Sequence, residues 1–471
     1  MIRRLFSPIW LAVLVVAACS SGSTSPSPSS AGVTAAGVTA ETFESQKAFT
    51  QTMVAAMAGG DFATVETHFT PEMQAGFPES DLRASLTRLA DQLGPYQSIV
   101  TVTAARQQPY VLVLTLLQYA SGRAGLQFTL DSQGRIAGMW VRAPDFVLPG
   151  ASAAASPTSP AASYVRPGTF HETEVVVGEA PWQLPGTLTM PNGSGPFPAA
   201  VLVAGSGPND RDETAGPNKP FQDLAWGLAS QGIATLRYDK RTLVHATSMD
   251  PNSITTKEEV TDDALAAIGL LRSTPGVDPN AVFLLGHSLG GYLAPRIGVE
   301  SKGLRGIVVL EGPTRPLEKL ILEQSDYLAS LNGSLSPAAS AQLEALRSQV
   351  ARVESPDLSP STPASELPLG IPASYWLDLR GYDAAATAAT LPLPIFFSQG
   401  GRDYQVTMAD YAGWKAALGS RTDVAWHLYP SLNHLLMTGS GPSSPLEYQV
   451  PGHVAPELVA DLAAWLLANS R

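Results

Sequence analysis

Residues 282–291, Val-Phe-Leu-Leu-Gly-His-Ser-Leu-Gly-Gly, decide how this sequence is interpreted. The apolar run at 282–285 predicts a buried strand, and the apolar pattern that follows predicts a helix to about Val299. Ser288 therefore lies in a Gly-x-Ser-x-Gly turn between a strand and a helix, a context that exposes a serine hydroxyl for reaction. The pattern alone is weak in a chain with 41 glycines, and a glycine-rich turn without chemistry is the alternative.

Four further apolar runs predict that this strand belongs to a parallel sheet covered by helices. Each is nearly continuous in hydrophobic residues, as in strands buried on both faces, and helical patterns separate them. These runs lie at 199–204, 233–238, 306–310 and 394–397. The predicted fold class of this part of the chain is α/β, ending in an amphipathic helix near 456–468.

A serine hydroxyl needs a base to take its proton, and an acid that orients the base. In folds of this kind the chain order is serine, acid, histidine. Three of the seven histidines follow Ser288. His427 lies inside a strand-like run and His453 lies just before the last helix. His434 lies in the loop after that run, from which a side chain can reach the serine, so we expect His434 to be the base.

The expected acid is Asp403, which follows the apolar run at 395–397 and a glycine turn. This places it at the end of a strand, where catalytic loops collect, and its role would be to hold the tautomer of the imidazole. The alternative for an aspartate in such a turn is simply to form the turn. Asp410 is predicted to lie in the next helix, and Asp423 precedes the next strand at the opposite end.

Two backbone amides are needed to bind the negative oxygen of an acyl-transfer intermediate. We expect them at Leu289, directly after the serine, and at Ser206, in the loop 205–208 after the first predicted parallel strand. This loop contains Gly-x-Gly but lacks the third glycine of a dinucleotide fingerprint, so no nucleotide cofactor is predicted. The single cysteine excludes a cysteine cluster for a metal, and no metal site is predicted.

Six longer motifs resemble a group of bacterial α/β-hydrolase esterases. They are GSGPNDRDE (205–213), GPNKPF (216–221), RYDKR (237–241), GRDYQVT (401–407), LNH (432–434) and GHV (452–454). The resemblance covers nearly all of residues 165–471. It implies an α/β-hydrolase fold and a carboxylesterase acting on short acyl esters through an acyl-enzyme, with Ser288, Asp403 and His434 as the triad. Aminopeptidase or thioesterase activity at the same site remains an alternative, as does a surface lipoprotein that binds without catalysis.

Four further side chains are candidates for contacts around this site. Arg211 and Arg241 lie in charged blocks that are expected to anchor the loop after the first predicted parallel strand through salt bridges; the alternative is that one binds a substrate carboxylate. An insertion at about 314–390, with helical patterns, is expected to form a cap over the pocket. Within it, Tyr375 and Trp376 are candidates to line the pocket, and core packing is the alternative.

The N-terminal residues predict export. Two arginines and a short apolar run lead to Val16-Ala17-Ala18-Cys19, which resembles a bacterial lipobox. Residues 1–19 are therefore interpreted as a lipoprotein signal peptide with Cys19 as the lipidated residue, and residues 20–40 as a flexible tether. The alternative is an ordinary signal peptide. The expected location is the bacterial cell membrane, on its periplasmic or outer side.

Between the tether and the hydrolase, residues 41–148 predict helices followed by strands, which is a small α+β unit. This order resembles the NTF2-like, cystatin-like domain that precedes the hydrolase in a group of exported bacterial proteins. An Ala/Ser/Pro linker at 149–164 separates the two units. With 29 basic and 41 acidic residues and no dense basic block, the chain is not expected to bind nucleic acid. The expected partners are a small ester and, through the anchor, the membrane.

Overall fold

The computed structural model describes residues 43–107, 110–120, 122–142, 148, 162–331 and 337–471. These residues form two compact units, one up to residue 148 and one from residue 162. The predicted signal peptide, Cys19, the tether and most of the linker at 149–164 lie outside the described residues. Within those residues, no helix is both long enough and apolar enough to cross a bilayer.

The first unit is an α+β fold in which helices precede a four-stranded antiparallel sheet of order β1-β2-β3-β4. Its elements are α1 (Glu44–Ala58), α2 (Phe62–Glu66), α3 (Pro71–Gly76), α4 (Glu79–Leu93), β1 (Tyr96–Gln107), β2 (Tyr110–Tyr119), β3 (Gly122–Leu130) and β4 (Ile136–Arg142). Val65, Phe128 and Ile136 are completely buried in its core. The α+β prediction is confirmed, and the NTF2-like resemblance stays a prediction.

The second unit is built on an eight-stranded sheet of order β12-β11-β10-β9-β7-β8-β6-β5. Its strands are β5 (Phe170–Val177), β6 (Leu184–Pro191), β7 (Phe197–Val203), β8 (Ala234–Tyr238), β9 (Val277–His287), β10 (Gly306–Leu310), β11 (Ile395–Gly400) and β12 (Val424–Tyr429). The strands from β7 onward pair in parallel, whereas β5 and β6 pair antiparallel at one edge. The predicted parallel α/β sheet is confirmed, and the antiparallel pair extends it.

Helices cover both faces of this sheet. They are α5 (Pro220–Ala229), α6 (Arg241–Val244), α7 (Asp262–Ser273), α8 (Leu289–Glu300), α9 (Leu317–Leu331), α10 (Pro337–Glu354), α11 (Ala373–Leu379), α12 (Ala384–Ala389), α13 (Met408–Leu418) and α14 (Pro456–Asn469). Successive side chains of one strand point to opposite faces. In β9, Val282 and Leu284 pack in the layer with α7 and α8, while Phe283 and Leu285 pack in the layer with α5 and α14.

The insertion between β10 and β11 contains α9 to α12, at the place predicted for a cap. The expectation that Tyr375 and Trp376 line the pocket is wrong, because both rings are buried in the core of this unit. The Tyr375 hydroxyl donates to Glu259 Oε2 at 2.6 Å, and Trp376 Nε1 donates to the Ile371 carbonyl at 3.1 Å. These bonds satisfy the polar ends of two side chains that otherwise bury apolar surface.

Phe397 in β11 offers a test of how the sheet is stabilised. Its ring is 1% exposed and stacks on Trp426 of β12, with ring centroids 4.7 Å apart. Phe397→Ala should lower the free energy of unfolding by about 3–5 kcal/mol, because it leaves a cavity in a packed core. Leu428→Ala on β12, where the side chain is 44% exposed, is the control and should change it by less than about 0.5 kcal/mol. Urea denaturation measures both; similar losses in the two variants would contradict this assignment of the core.

Candidate active site

The turn that carries Ser288 joins β9 to α8 under tight steric constraint. Ser288 adopts φ 50° and ψ −115°, a region that residues other than glycine rarely occupy. A Cβ atom on Gly290 would lie 2.2 Å from the carbonyl oxygen of Val203 in β7, and one on Gly286 would lie 2.2 Å from the carbonyl oxygen of Gly290. Only glycine fits at both positions, so the Gly-x-Ser-x-Gly spacing is a packing requirement of this strained turn.

A narrow cavity of about 20 Å³ lies against Ser288. Such a volume has room for one or two water molecules. Its apolar wall comes from Tyr292, Leu317, Leu320 and Val406. Its polar lining comes from Ser206, Arg315, Gln324 and Gln405. The cavity is therefore bounded by the sheet edge on one side and by α9 of the cap insertion on the other.

His434 and Asp403 form a buried hydrogen-bonded pair. His434 Nδ1 lies 2.7 Å from Asp403 Oδ2, and the two residues are 5% and 6% exposed. The other carboxylate oxygen, Oδ1, accepts the backbone N–H groups of Gln405 at 2.7 Å and Val406 at 3.0 Å. Because Nδ1 donates its proton to a carboxylate, the neutral ring presents Nε2 as an unprotonated acceptor. The two residues follow adjacent parallel strands, β11 and β12, whose carboxyl ends meet at one edge of the sheet.

His287, in the serine turn, contacts the loop that carries His434. Its Nε2 lies 2.8 Å from the carbonyl oxygen of His434, and its Nδ1 lies 2.9 Å from Glu213 Oε2. The rings of His287 and His434 have their centroids 4.7 Å apart. Burial acts to lower the pKa of His287, but the Glu213 carboxylate and the hydrogen bonds outweigh it, and the net pKa is raised.

The loop after β7 is held by two buried glutamates. Glu213 Oε1 accepts the N–H of Gly205 at 2.6 Å, and Glu259 Oε1 accepts the N–H of Gly207 at 3.0 Å. Lys240 Nζ donates to Glu259 Oε1 at 2.7 Å and to the Gly205 carbonyl at 2.7 Å. The amide of Ser206 lies between these two fixed amides.

Two amides thus remain available beside Ser288. Within the described part of the chain, neither the Ser206 nor the Leu289 N–H donates a hydrogen bond to a protein group. Both residues line the cavity, and Leu289 is the first residue of α8. The first N–H groups of a helix lack acceptors within the helix, which makes them suitable donors to a negative oxygen.

Arg211 and Arg241, the two arginines considered in the sequence analysis, form salt bridges with acidic side chains. Arg211 pairs with Asp239 at 3.0 Å and with Glu174 at 2.6 Å. Arg241 pairs with the buried Asp263. Neither arginine is among the residues that line the cavity at Ser288. Their contacts fit the anchoring interpretation and leave the substrate-carboxylate alternative without a structural basis.

The remaining late histidines are engaged elsewhere. His427 Nδ1 lies 3.2 Å from Asp461 Oδ2, and its ring stacks on Phe396. His453 Nδ1 lies 3.0 Å from Asp223 Oδ1. Within the described ranges, no cluster of three or more His, Cys, Asp or Glu side chains is arranged to hold a metal ion.

Sequence reasoning missed Arg315, Glu213 and His287 as parts of this site. It also missed Glu311, a fully buried acid with φ 49°. The sequence did contain a signal for His287 and Glu311. His287 lies in the serine turn itself, and Glu311 is an acid directly after an apolar run. Arg315 had none, because its place depends on how the cap insertion folds back. It enters the cavity while paired with Asp410 at 2.7 Å and with Glu323 at 2.5 Å.

The chain is similar to a known protein family and to solved structures. Residues 218–440 match the family described as serine aminopeptidase, S33. Two solved structures are similar at low identity. The Pyrococcus furiosus esterase PF2001 has a TM-score of 0.40 and 15% identity, over 64% of this chain and 92% of that one. Est1E from Butyrivibrio proteoclasticus has a TM-score of 0.40 and 13% identity, over 63% of this chain and 98% of that one.

Sequence comparison shows a similarity that extends over a larger part of this chain. Esterase EstD of Thermotoga maritima is 37% identical over 382 residues, which are 80% of this chain and 85% of EstD. An alignment that spans 80% of this chain necessarily includes the serine turn. The chain therefore belongs to the α/β-hydrolase family that includes esterase EstD.

Proposed function

We propose that this protein is a serine hydrolase that cleaves carboxylic esters, with Ser288 as nucleophile, His434 as base and Asp403 as the orienting acid. The observation that carries the proposal is the 2.7 Å hydrogen bond between His434 and Asp403, on the loops that follow β11 and β12, beside the strained turn of Ser288. The relationship to a protein named an esterase supports the same reaction.

The reaction divides into two acyl transfers. Ser288 Oγ attacks the ester carbonyl carbon while His434 Nε2 takes its proton, and the imidazolium is stabilised by Asp403. The intermediate collapses when His434 returns this proton to the leaving alcohol, which leaves an acyl group on Ser288. Water then attacks the acyl carbon with His434 again as base, and the carboxylic acid departs as Ser288 recovers its proton.

The developing negative oxygen is bound by the amides of Ser206 and Leu289 in this proposal. Glu213 and Glu259 hold Ser206 from both sides, so its N–H is already placed before substrate arrives. Such donors need no reorganisation as charge develops, and one of them is typically worth about 10²–10³ in kcat. The strained conformation of Ser288 has the same purpose, since it keeps the residue at the wall of the cavity.

The cavity lining favours esters over peptides with a free amino terminus. An aminopeptidase has to bind an ammonium group, which calls for a carboxylate in the cavity. The residues that line the cavity at Ser288 include no aspartate or glutamate, and the charged side chain there is Arg315, a cation. The cavity holds only one or two water molecules, so it has to widen for any acyl group, and a short acyl group needs the least widening. The family described as serine aminopeptidase makes peptide cleavage the second candidate.

Labelling with a fluorophosphonate tests the nucleophile. The native protein should be labelled and Ser288→Ala should not, because the probe forms a bond with an activated serine oxygen. Asp403→Asn should lower kcat by roughly 10⁴, since an amide stabilises the wrong tautomer of histidine. Ser206→Ala is the control: it removes only a side chain and keeps the amide, so labelling should persist. An unlabelled native protein would indicate a binding protein without catalysis, and a labelled Ser288→Ala variant would indicate another nucleophile.

A substrate panel tests the bond and the acyl length. We expect p-nitrophenyl acetate and butyrate to be cleaved with a kcat/KM at least roughly 100-fold higher than that of p-nitrophenyl decanoate or of aminoacyl p-nitroanilides. The physical reasons are the small cavity and the absence of a carboxylate among its lining residues. Preference for the anilides would establish the peptidase alternative, and preference for acyl thioesters would establish a thioesterase.

We also propose that the protein is exported and held at the membrane by acylation of Cys19. The support is the basic and apolar leader, the lipobox-like residues before Cys19 and the Ser/Pro-rich segment after it. Lipid chains contribute membrane affinity in proportion to the buried methylene groups.

Fractionation of cells that express the full chain tests this proposal. The native protein should partition with membranes and incorporate labelled palmitate, whereas Cys19→Ala should do neither. Ser21→Ala is the matched control and should behave as the native protein. Recovery of the native protein in the soluble exported fraction, without label, would indicate an ordinary signal peptide.

A further inference from the structure

Glu311 lies directly after β10. This strand lies between β9, which precedes Ser288, and β11, which precedes Asp403. Its side chain is 0% exposed, and its backbone has φ 49°, in the left-handed region that favours glycine. A glutamate in this conformation carries strain that persists only where its surroundings hold it. The steps derived for Ser288 and His434 leave this buried acid without a role.

The surroundings of Glu311 are polar but contain no cation. Its Oε1 lies 3.1 Å from Ser398 Oγ, and its Oε2 accepts the N–H of Gly400 at 2.7 Å. The carboxyl group also lies close to the carboxyl group of Asp403. No lysine or arginine among the described residues forms a salt bridge with it. Among the described residues, Tyr429 on β12 is a further titratable group whose pKa is affected by Glu311.

Two buried carboxyl groups in contact cannot both carry a charge at low cost, so they share one proton. Asp403 is the better place for the negative charge, because it accepts three N–H groups, from Gln405, Val406 and His434. Glu311 accepts one N–H and lies beside one hydroxyl. Complete burial and, next, the charge of Asp403 raise the pKa of Glu311 well above its ordinary value.

We propose that Glu311 is a positioning residue that stays protonated and donates its O–H to Asp403, thereby holding the Asp403 carboxylate in place for His434. This inference rests on the proposed triad. A neutral acid adds a fourth hydrogen bond to Asp403 without adding a second negative charge next to His434. The carboxylate charge beside His434 is then that of Asp403 alone, while the strained backbone keeps the donor in place.

The pH profile of kcat/KM for p-nitrophenyl butyrate separates this role from a structural one. In Glu311→Gln a neutral amide of similar shape can still donate to Asp403, so we expect activity within about threefold of native and an acidic limb displaced by less than about 0.3 pH unit. If Glu311 were ionised, the change would remove a negative charge near His434, and the limb would move to lower pH by roughly one unit or more. Glu311→Met removes the donor at similar size, and should lower kcat/KM roughly 10- to 100-fold through a misplaced Asp403.

Infrared difference spectroscopy reads the proton directly. The native protein minus Glu311→Gln should show the band of a protonated carboxyl group, whereas an ionised Glu311 would give only carboxylate bands. Ser398→Ala is the matched control, since Ser398 contacts Glu311 and not Asp403; it should leave the acidic limb in place. If Glu311→Met fails to fold, the pH profile and the infrared spectrum of Glu311→Gln decide whether Glu311 is protonated.

The inference stands if Glu311→Gln keeps both activity and profile, the protonated band is present, and Glu311→Met, where folded, is impaired. A shifted limb, a missing band or a fully active Glu311→Met overturns it. A wrong assignment of the triad would be recognised separately. Labelling or esterase activity would then survive in Ser288→Ala, whatever the results for the Glu311 variants.

Discussion

The close approach of two backbone segments, the turn after β9 and the end of β7, is the constraint on which the site depends. Gly290 lies so near the Val203 carbonyl that no side chain fits there, and Gly286 is closed in the same way by Gly290. Because the turn is this tight, Ser288 takes a strained conformation and α8 begins immediately after it. The same approach brings the Leu289 amide next to the loop of Ser206. One packing contact thus places the hydroxyl that is proposed to react and the two amides that are proposed to donate to the negative oxygen.

Three buried glutamates keep the loops around this turn in position. Glu213 accepts the Gly205 N–H and lies 2.9 Å from His287 Nδ1, and Glu259 accepts hydrogen bonds from the Gly207 amide and Lys240. Glu311 bonds the Gly400 amide. An unpaired buried charge would cost far more than such contacts contribute, so each acid needs either a cation or a proton. Glu259 pairs with Lys240, and Glu213 lies 2.9 Å from a ring nitrogen of His287, whereas among the described residues Glu311 has no basic partner.

Much of this site could be predicted from sequence because its parts are local. The strand, the glycine spacing and the helix around Ser288 are adjacent in the chain, and Asp403 and His434 each follow an apolar run. The partners of Glu213 and Glu311 could not be predicted, since they depend on loops 74 to 92 residues away meeting at one edge. Tyr375 and Trp376 show the opposite error: aromatic residues in an insertion suggested a pocket wall, but their large apolar area is better buried in the core.

The residues of the proposed triad and the residues of the cavity wall come from different parts of the second unit. Ser288, His434 and Asp403 come from loops at the edge of a rigid parallel sheet, whereas Leu317, Leu320 and Gln324 of the cavity wall come from α9 in the insertion. The two parts are nevertheless joined, because Gln324 Nε2 donates to the carbonyl of Gln405 at 2.9 Å, two residues after Asp403. A change in α9 that alters the cavity wall therefore acts on a segment bonded to the loop of Asp403. In the proposed mechanism, this hydrogen bond couples substrate selection by the insertion to the alignment of Asp403, whereas the serine turn is held by its own glycine contacts.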